Sequence, residues 1–528
     1  MMENPELPSK SRVVGFIDIG TNSIRLLLVR INPNKTYQVL TAQKEVVRLG
    51  EGEFIEQTLQ PEAMERAITV CRKFAELARQ RQAEEIIAVA TSATREASNK
   101  AEFIQRLKDE AGLDVRAISG LEEARLIYLG VASGVHLADR QALFVDIGGG
   151  STEIIVGDQQ QYHLLDSLKL GAIRLTTMFF LPDEKEPISP IRYALIQNYV
   201  RNIIVRTIQR VQPYKIDVVY GSSGTILNLA DIAAHRFFKR KLEREDEITH
   251  AQLKEVIQVL CEANLEERRQ IPGINPERAD IIIAGAAIID TIMEELKLPS
   301  FRPSERGLRD GLLIDYLSRT DQSLMLGQMT VRERSVLHLA RTVNFDEPHA
   351  RHVARLALQL YDSGYQIGLH RLGRWERELL EYAALLHDIG AFLSYQNHQM
   401  HTYYLIRNAD LLGFDQKEIT IMALASLHHR KALPSKKEPE FAALDKDSQT
   451  AVKVLGIILR LSESLDRSHM GAVHRARFVS GDKREVILEM FSDQDCQLEQ
   501  WGVENHLEAF EKTFNRPLVV RVIAKSSV

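Results

Sequence analysis

The stretch FVDIGGGSTEIIVG, Phe144 to Gly157, decides the fold of this chain. An apolar run ends on Asp146, three glycines and a Ser-Thr pair follow, and a second apolar run begins. That pattern reads as strand, tight turn, strand. A near-copy, FIDIGTNSIRLLLV, stands at Phe16 to Val29. A shift of 128 residues lays Phe16, Asp18, Ile19, Gly20 and Ser23 on Phe144, Asp146, Ile147, Gly148 and Ser151. Two tandem copies of one unit predict a pseudo-twofold pair of α/β lobes facing a cleft.

Each turn carries the chemistry of an anion site. Glycine lets backbone approach a ligand without a Cβ in the way, and successive N–H groups in such a turn form an anion nest. Ser and Thr hydroxyls add donors, and the aspartate at each strand end suits a hydrated divalent cation. The copies differ at one informative place: Arg25 occupies in the first the position of Glu153 in the second. Opposed turns of this kind predict one phosphate chain held between them, with a cation from one lobe and metal or water handling from the other. The alternative is a tight hairpin with no ligand, which a single copy would not separate from the functional reading.

Working outward, Val13–Ile19, Ile24–Ile31 and Tyr37–Glu45 read as consecutive strands. An amphipathic helix over Pro61–Gln80, a strand over Ile86–Ala90, a helix over Lys100–Ala111 and a strand over Val115–Ile118 follow, and a helix begins near Leu121. The pattern relaxes around Ser133–Gln141, which marks a boundary. Strands over Ala142–Ile147, Glu153–Val156 and His163–Leu170 then repeat the opening grammar, with a further strand over Asp217–Tyr220 among long helical pieces. From about Thr330 the strand signal disappears, and Arg332 to Asp466 is helical and rich in Ala, Leu and His. Alternation returns from Arg475 in ARFVSG, REVILEMF and LVVRVIA, as a small α+β unit or an appendage of the helices. The expected division is 12–135, 136–318, 325–472 and 473–528.

Composition narrows the function classes. A chain of 528 residues, 45% apolar and 26% charged, is ordinary for several globular domains. A net charge of −5 supplies no global basic field for nucleic acid, so a polyanionic ligand must meet a local patch. Cys71, Cys261 and Cys496 are scattered and odd in number, which argues against a disulfide framework and for a reducing cytoplasm. The polar stretch MMENPELPSKSR reads as a tail and not as a signal peptide. The longest apolar run, Ile281 to Ile289, lies between Asp280 and Asp290 and is too short to span a bilayer, so no membrane is expected.

The paired DIGTNSIRLL and VDIGGGSTEI resemble the two phosphate loops of the actin–Hsp70–sugar-kinase superfamily. More narrowly, with ATSATREA (Ala90–Ala97), ISGLEEARLIYLGV (Ile118–Val131), YGSSGTI (Tyr220–Ile226) and ERGLRDGLL (Glu305–Leu313), they resemble the exopolyphosphatase / guanosine pentaphosphate phosphohydrolase family. The resemblance covers roughly residues 12–318 in order. It implies two actin-like (ribonuclease H-like) α/β lobes and Mg²⁺-dependent (or Mn²⁺-dependent) removal of the terminal phosphate of polyphosphate. Some members instead, or also, convert pppGpp to ppGpp. Homodimerisation is a further expectation from the family.

Within ISGLEEARL, Ser119 and Glu122 stand at capping-box spacing, which gives Glu122 a structural task and leaves Glu123 to face the cleft. The family's catalytic glutamate aligns with the second of the pair, so Glu123 is the expected general base. A carboxylate in a partly closed cleft should have a raised pKa, which suits a base. Arg95 follows a strand end, where side chains line the crevice of an open α/β sheet, and its guanidinium suits bidentate phosphate binding. GSSGT, with Ser223, Gly224 and Thr225, opens a helix whose free amides suit an anion. The resulting expectation gives Asp18, Asp146 and Glu153 to Mg²⁺, with Asp146 and Glu153 also counted among the catalytic groups. It gives Asn22, Ser23, Arg25, Arg95, Gly148, Gly149, Gly150, Ser151 and the GSSGT loop to phosphate.

Most histidines fall in the helical region. The order His352, His387-Asp388, His398 and His401, His428-His429, Asp466 resembles an HD phosphohydrolase domain, which longer members of the family carry. That resemblance implies a second divalent metal on His352, His387, Asp388 and Asp466, with His401 and His429 as further candidates. The competing reading is a retained scaffold that binds phosphate chain, forms a dimer interface or merely packs. His370, Arg371, Arg374 and Arg377 could extend a polyanion path, or form a solvated face.

Three rivals share parts of this pattern. An actin-like ATPase or kinase would need a purine pocket, usually a Gly-Gly turn before a helix, whereas GSSGT is followed by Ile226 and Leu227. A nucleotide or polyphosphate sensor would have lost its acids, yet Glu123, Asp146 and Glu153 are present. An HD-domain nucleotide phosphohydrolase would place the main chemistry at Asp388.

Overall fold

The computed structural model describes residues 11–523 apart from 34–35, 182–183, 245, 321–329, 410 and 431–432. The chain forms two compact units, Met1–Thr330 and Val331–Val528.

The first unit contains two sheets of one design. The first sheet comprises β1 (Arg12–Ile19), β2 (Ser23–Ile31), β3 (Tyr37–Val46), β4 (Glu85–Ala90) and β5 (Val115–Ala117), in the order β3-β2-β1-β4-β5. The second comprises β6 (Ala142–Ile147), β7 (Thr152–Gly157), β8 (Tyr162–Leu168), β9 (Val218–Ser222), β10 (Ile248–Thr249) and β11 (Ser300–Ser304), in the order β10-β11-β9-β6-β7-β8. In both, three antiparallel strands are followed by two parallel ones, and the second sheet adds β10 at its edge. Asp18 pairs with Arg25 across β1 and β2 just as Asp146 pairs with Glu153 across β6 and β7. The repeat read from two short stretches therefore extends to whole sheets. The strand over Ser300–Ser304 has no counterpart in the sequence reading, because Pro299 and Pro303 break its alternation.

Burial explains the local choices. The helix Pro61–Gln80 starts with proline at a first-turn position and buries Ala63, Met64, Ala67, Ile68, Cys71, Phe74, Ala75 and Ala78, an i, i+3/i+4 stripe against the first sheet. The expected helix Lys100–Ala111 is α-helical to Arg106 and widens to a π turn over Leu107–Ala111. Between the sheets, one cluster joins Phe16, Val14, Phe144, Ile155 and Tyr220 to Leu126, Ile127 and Tyr128. Leu308, Leu312 and Leu313 complete it from the helix Leu308–Thr320. That helix belongs by sequence to the second repeat, yet it packs on Gly120–Ala132 and β1 of the first. The approach is close: a Cβ on Gly311 would lie 1.8 Å from the Leu126 carbonyl oxygen, and one on Gly130 would lie 2.1 Å from that of Gly307.

The second unit is helical with one small sheet, β12 (Val473–Ser480), β13 (Val486–Ser492) and β14 (Leu518–Ile523). Among the described residues, Phe478, Leu488, Met490, Phe510 and Leu518 share one apolar core with the helices, so the C-terminal α+β segment is built onto them. The three cysteines are free thiols, and among the described residues no helix is long and apolar enough to cross a membrane.

Candidate active site

The two glycine turns face each other inside the first unit. Each is closed by the same bond: Gly20 N–H donates to Ser23 O at 3.1 Å, and Gly148 N–H donates to Ser151 O at 2.9 Å. A Cβ on Gly149 would lie 3.0 Å from Thr21 Cβ and Cγ2, and one on Gly150 would lie 2.6 Å from Phe54 Cζ and Ser92 Oγ. These contacts require glycine and bring the loops together. Among the described residues, the N–H groups of Gly149, Gly150, Ser151, Thr21 and Asn22 have no hydrogen-bond acceptor, so both turns present free amides. The cleft is lined by Asp18, Asn22, Ser23, Arg25, Glu123 and Asp146, by Gly148 to Ser151, and by Ser223 and Gly224.

Four acids meet below these turns. Burial pushes the Glu123 carboxyl up to about 7 against the pull of Arg95, with Asp18 and Asp146 adding to the rise. Burial likewise lifts Asp18 to about 6, opposed by Arg25 and Arg309 and assisted by Asp146. Asp146 lies above the usual carboxylate range through burial, although Ser222 Oγ donates to its Oδ2. Glu153 is raised well above that range by burial and then by Glu123 and Asp146. Glu153 lies beneath the cleft lining: its Oε1 accepts from Ser167 Oγ at 2.8 Å, and its buried Oε2 lacks a hydrogen-bond partner within 3.5 Å among the described residues. Among the described residues, Asp18 Oδ1 is also buried without a hydrogen-bond partner. Clustered, desolvated oxygens with unused lone pairs fit a hard divalent cation such as Mg²⁺.

Half of the expected capping box is present. Ser119 Oγ accepts from the Glu122 N–H at 3.1 Å, and the Glu122 carboxylate is held by Arg125 at 2.8 and 3.0 Å. Glu123, one residue on, is buried in the cleft. Two other residues sit differently from the sequence reading. Arg95 is not among the cleft-lining residues; its Nη1 donates to Glu123 Oε2 at 2.8 Å and to Ile118 O at 3.1 Å, so it holds the glutamate. Thr225 turns away to pack on the helix Ile282–Glu295, where a Cβ on Gly285 would lie 2.4 Å from its Cγ2. Ser223 has φ 93, a strained backbone for a non-glycine residue, at the mouth of the helix Ser223–Ala233.

Sequence reasoning missed Arg278. It stands on the short turn Pro276–Arg278, lines the cleft beside Gly224, and is buried with an Nε that has no hydrogen-bond partner among the described residues. Burial, and then the like charge of Arg25, lowers its pKa to about 10. Lys44 is lowered to about 8 by burial and by Arg278 and Arg25. Arg25 and Arg278 line the cleft, with Lys44 paired to Arg25 across β2 and β3, and cations this close call for an anion among them.

The second unit holds a separate cluster. His349, His387 and Asp388 place ligand-type atoms within 4.8 Å of one another, and so do Asp388, His398 and His429. His352 is not part of it: its Nε2 meets Val473 O at 3.0 Å and its Nδ1 meets Arg355. His349, three residues earlier, is on the inner face of the same helix. His398 rather than His401 faces inward on the helix His398–Asn408, for the same reason of helical phase. Asp466 accepts from His349 Nδ1 at 2.7 Å and so stands behind a cluster member. Burial alone would raise Asp388, but His387 beside it and the His398 bond hold it well below the usual range. Burial pushes His429 down to about 3. Of the basic residues expected to extend a polyanion path, His370 is buried on Tyr361 O at 2.9 Å and Arg377 is paired with Asp362 at 2.7 Å; Arg371 and Arg374 are exposed.

Residues 27–320 match the Ppx/GppA phosphatase family, and residues 331–509 match Ppx/GppA phosphatase, domain III. An exopolyphosphatase from Cytophaga hutchinsonii is 28% identical, with a TM-score of 0.54 over 58% of this chain and 98% of its own. An exopolyphosphatase-like protein is also 28% identical, with a TM-score of 0.54 over 59% of this chain and 99% of its own.

Proposed function

Because this chain belongs to the Ppx/GppA phosphatase family, we propose that it removes the terminal phosphate of inorganic polyphosphate, and of pppGpp to give ppGpp, by attack of water activated by Glu123. The observation that carries this reading is the position of Glu123: a buried carboxylate with a pKa near neutrality, in a cleft walled by two opposed sets of free amides.

Hydrolysis of a phosphoanhydride depends on placing the reactants and on absorbing charge at the phosphoryl oxygens. The amides of Gly149, Gly150 and Ser151 and those of Thr21 and Asn22 surround the terminal phosphoryl group from two sides. Arg25 and Arg278 offer guanidinium donors to the following phosphates, which offset the repulsion between these cations. Arg95 occupies Oε2 of Glu123 and fixes the carboxylate plane, leaving Oε1 to take the proton of the attacking water. A pKa near 7 keeps this base both ionised and basic enough at neutral pH. Asp18, Asp146 and Glu153 are the residues that would hold Mg²⁺, which when bound supplies charge neutralisation at the phosphate oxygens.

The test measures phosphate release from long polyphosphate, short polyphosphate, pppGpp and ATP with Mg²⁺ present, for the unsubstituted chain and Glu123→Gln. Turnover of polyphosphate or pppGpp well above that of ATP, lost in the variant, is expected. Wild-type rates in Glu123→Gln would sink the assignment, and a preference for ATP would favour a kinase-like ATPase.

A further inference from the structure

We propose that Arg174 is a positioning residue for hydrolysis: it sets the amide face of the second glycine turn and ties that turn to the helix whose Arg95 holds Glu123. The inference deepens the reading of the cleft as a phosphatase site and rests on it.

The free amides of Gly149, Gly150 and Ser151 need a cause, because a run of glycines has many conformations open to it. In a trans peptide the N–H points opposite to the preceding C=O, so a carbonyl held from behind aims the next amide forward. The three carbonyls ahead of those amides are held from behind by one short segment. Ala172 N–H donates to Gly148 O at 3.0 Å, and the Ile173 and Arg174 N–H groups donate to Gly149 O at 2.9 and 3.1 Å. The remaining bond comes from a side chain: Arg174 Nε donates to Gly150 O at 2.8 Å. Gly171 permits this approach, since a Cβ there would lie 2.3 Å from Gly149 O. The first turn meets the same need with main chain. Gly50 N–H donates to Thr21 O, and Val47 and Arg48 N–H donate to Asn22 O, each at 3.0 Å. Among the described residues, Ser151 N–H is thus the cradle amide whose preceding carbonyl is held by a replaceable side chain.

The same guanidinium reaches the other repeat. Arg174 Nη2 donates to Glu96 Oε1 at 2.8 Å, and Ser92 Oγ donates to that oxygen at 2.9 Å. Glu96 follows Arg95 on the short helix Ser92–Glu96, and Arg95 Nη1 donates to Glu123 Oε2 at 2.8 Å. Arg174 Cζ also lies 4.0 Å from the centre of the Phe54 ring, which closes on Gly150. The Arg174 and Glu96 side chains are 12% and 17% exposed, so the pair is shielded from water and holds its geometry. An unbroken series, from Ser151 N–H and Gly150 O through Arg174, Glu96 and Arg95 to Glu123, therefore links the phosphoryl cradle of one repeat to the base of the other. In-line attack by water needs that separation fixed. Lys169 Nζ meets the second oxygen of Glu96 at 3.0 Å, but it is exposed and, among the described residues, makes no hydrogen bond to the turn.

The test is steady-state phosphate release from polyphosphate and from pppGpp with Mg²⁺ present, on the full-length chain. It compares Arg174→Ala, Arg174→Lys, Glu96→Ala, the Arg174→Ala/Glu96→Ala pair and Lys169→Ala, with circular dichroism confirming that each is folded. Arg174→Ala is expected to lower kcat by ~10²-fold with KM little changed, the size that goes with reacting groups displaced by ~1 Å. Arg174→Lys should recover part of the loss, because an ammonium reaches one partner but cannot fork to two. Glu96→Ala should cost less, and the double variant should fall no further than Arg174→Ala, since the two side chains act as one unit. Lys169→Ala should keep the wild-type rate, which separates positioning from a change of charge at Glu96. Wild-type kcat in folded Arg174→Ala, a loss confined to KM, or additive losses in the double variant overturns the proposal. If Arg174→Ala does not fold, Arg174→Lys is judged by the same criteria. Turnover lost in Glu123→Gln but kept in Arg174→Ala sinks this inference alone. No turnover by the unsubstituted chain, or wild-type rates in Glu123→Gln, sinks the reading of the cleft and this inference with it.

Discussion

The two glycine turns of the first unit are the same device with opposite charge. Both follow a strand that ends in aspartate, both close with a bond from the first glycine amide to a serine carbonyl, and both offer free amides to the cleft. At one matched position the first turn carries Arg25 and the second Glu153. Backbone symmetry supplies a two-sided cradle, and this side-chain difference polarises it. Cations gather on the side of Arg25, Lys44 and Arg278, while Glu123, Asp146 and Glu153 interact as one acidic group. Duplication of an anion nest becomes useful for hydrolysis only once the copies stop being equivalent.

The largest effect should come from the acidic side. Glu123→Gln is expected to lower kcat by ~10²–10⁴-fold with little change in KM, measured by phosphate release. Next, removing a cation in Arg25→Ala or Arg278→Ala should cost about 10–100-fold in kcat/KM, mainly through KM, as expected for a lost charge-assisted contact. A fall in kcat alone for Arg25→Ala would break the division between a holding side and a reacting side. Third, Gly150→Ala must displace Phe54 and Ser92, whereas a Cβ on Gly20 meets only the Ser23 carbonyl at 3.0 Å and Asp18 Oδ1 at 4.0 Å. Thermal melts should show Gly150→Ala less stable by ~1–3 kcal/mol and Gly20→Ala less affected.

The smallest expected effect is a pH slope. Folded Glu123 and Asp18 hold their protons to about 7 and about 6, above their ordinary values of 4.5 and 3.8. The unfolded chain releases these protons first, so as pH rises through that window these groups take stability away from the metal-free fold. Their contribution is most favourable below the unfolded values and is fully lost above about 7. Melts of the metal-free chain between pH 5 and 8, at about half-unit steps, should show this decline, and Glu123→Gln should flatten it.

Much of the cleft was legible because it is built from local grammar. A strand, an acid and a glycine turn sit within about a dozen residues, and the second copy doubles the signal. Glu123 was legible for a related reason, since the cap on Ser119 assigns its neighbour Glu122 to the helix end. Arg278 was not, because it reaches the site from a turn with no glycine motif and its role exists only once the second repeat has folded. Arg95 could be placed at a strand end, but not its partner, since the pairing with Glu123 joins residues 28 apart. His349 and His352 share one helix three residues apart, and periodicity places both near the same face. Only the packing of that helix shows that His349 points at His387 and His352 at the Val473 carbonyl.

The helix Leu308–Thr320 ties the architecture together in a way the repeat conceals. It is made last in the first unit, yet its leucines seal the apolar face of Leu126 and Tyr128 in the opening half. The chain therefore cannot be cut between its two homologous halves into self-sufficient modules. A fragment ending near Arg140 would expose an oily face normally covered from some 170 residues downstream, whereas the same helix supplied in trans should restore it. Each half, though built to one plan, borrows part of its interior from the other.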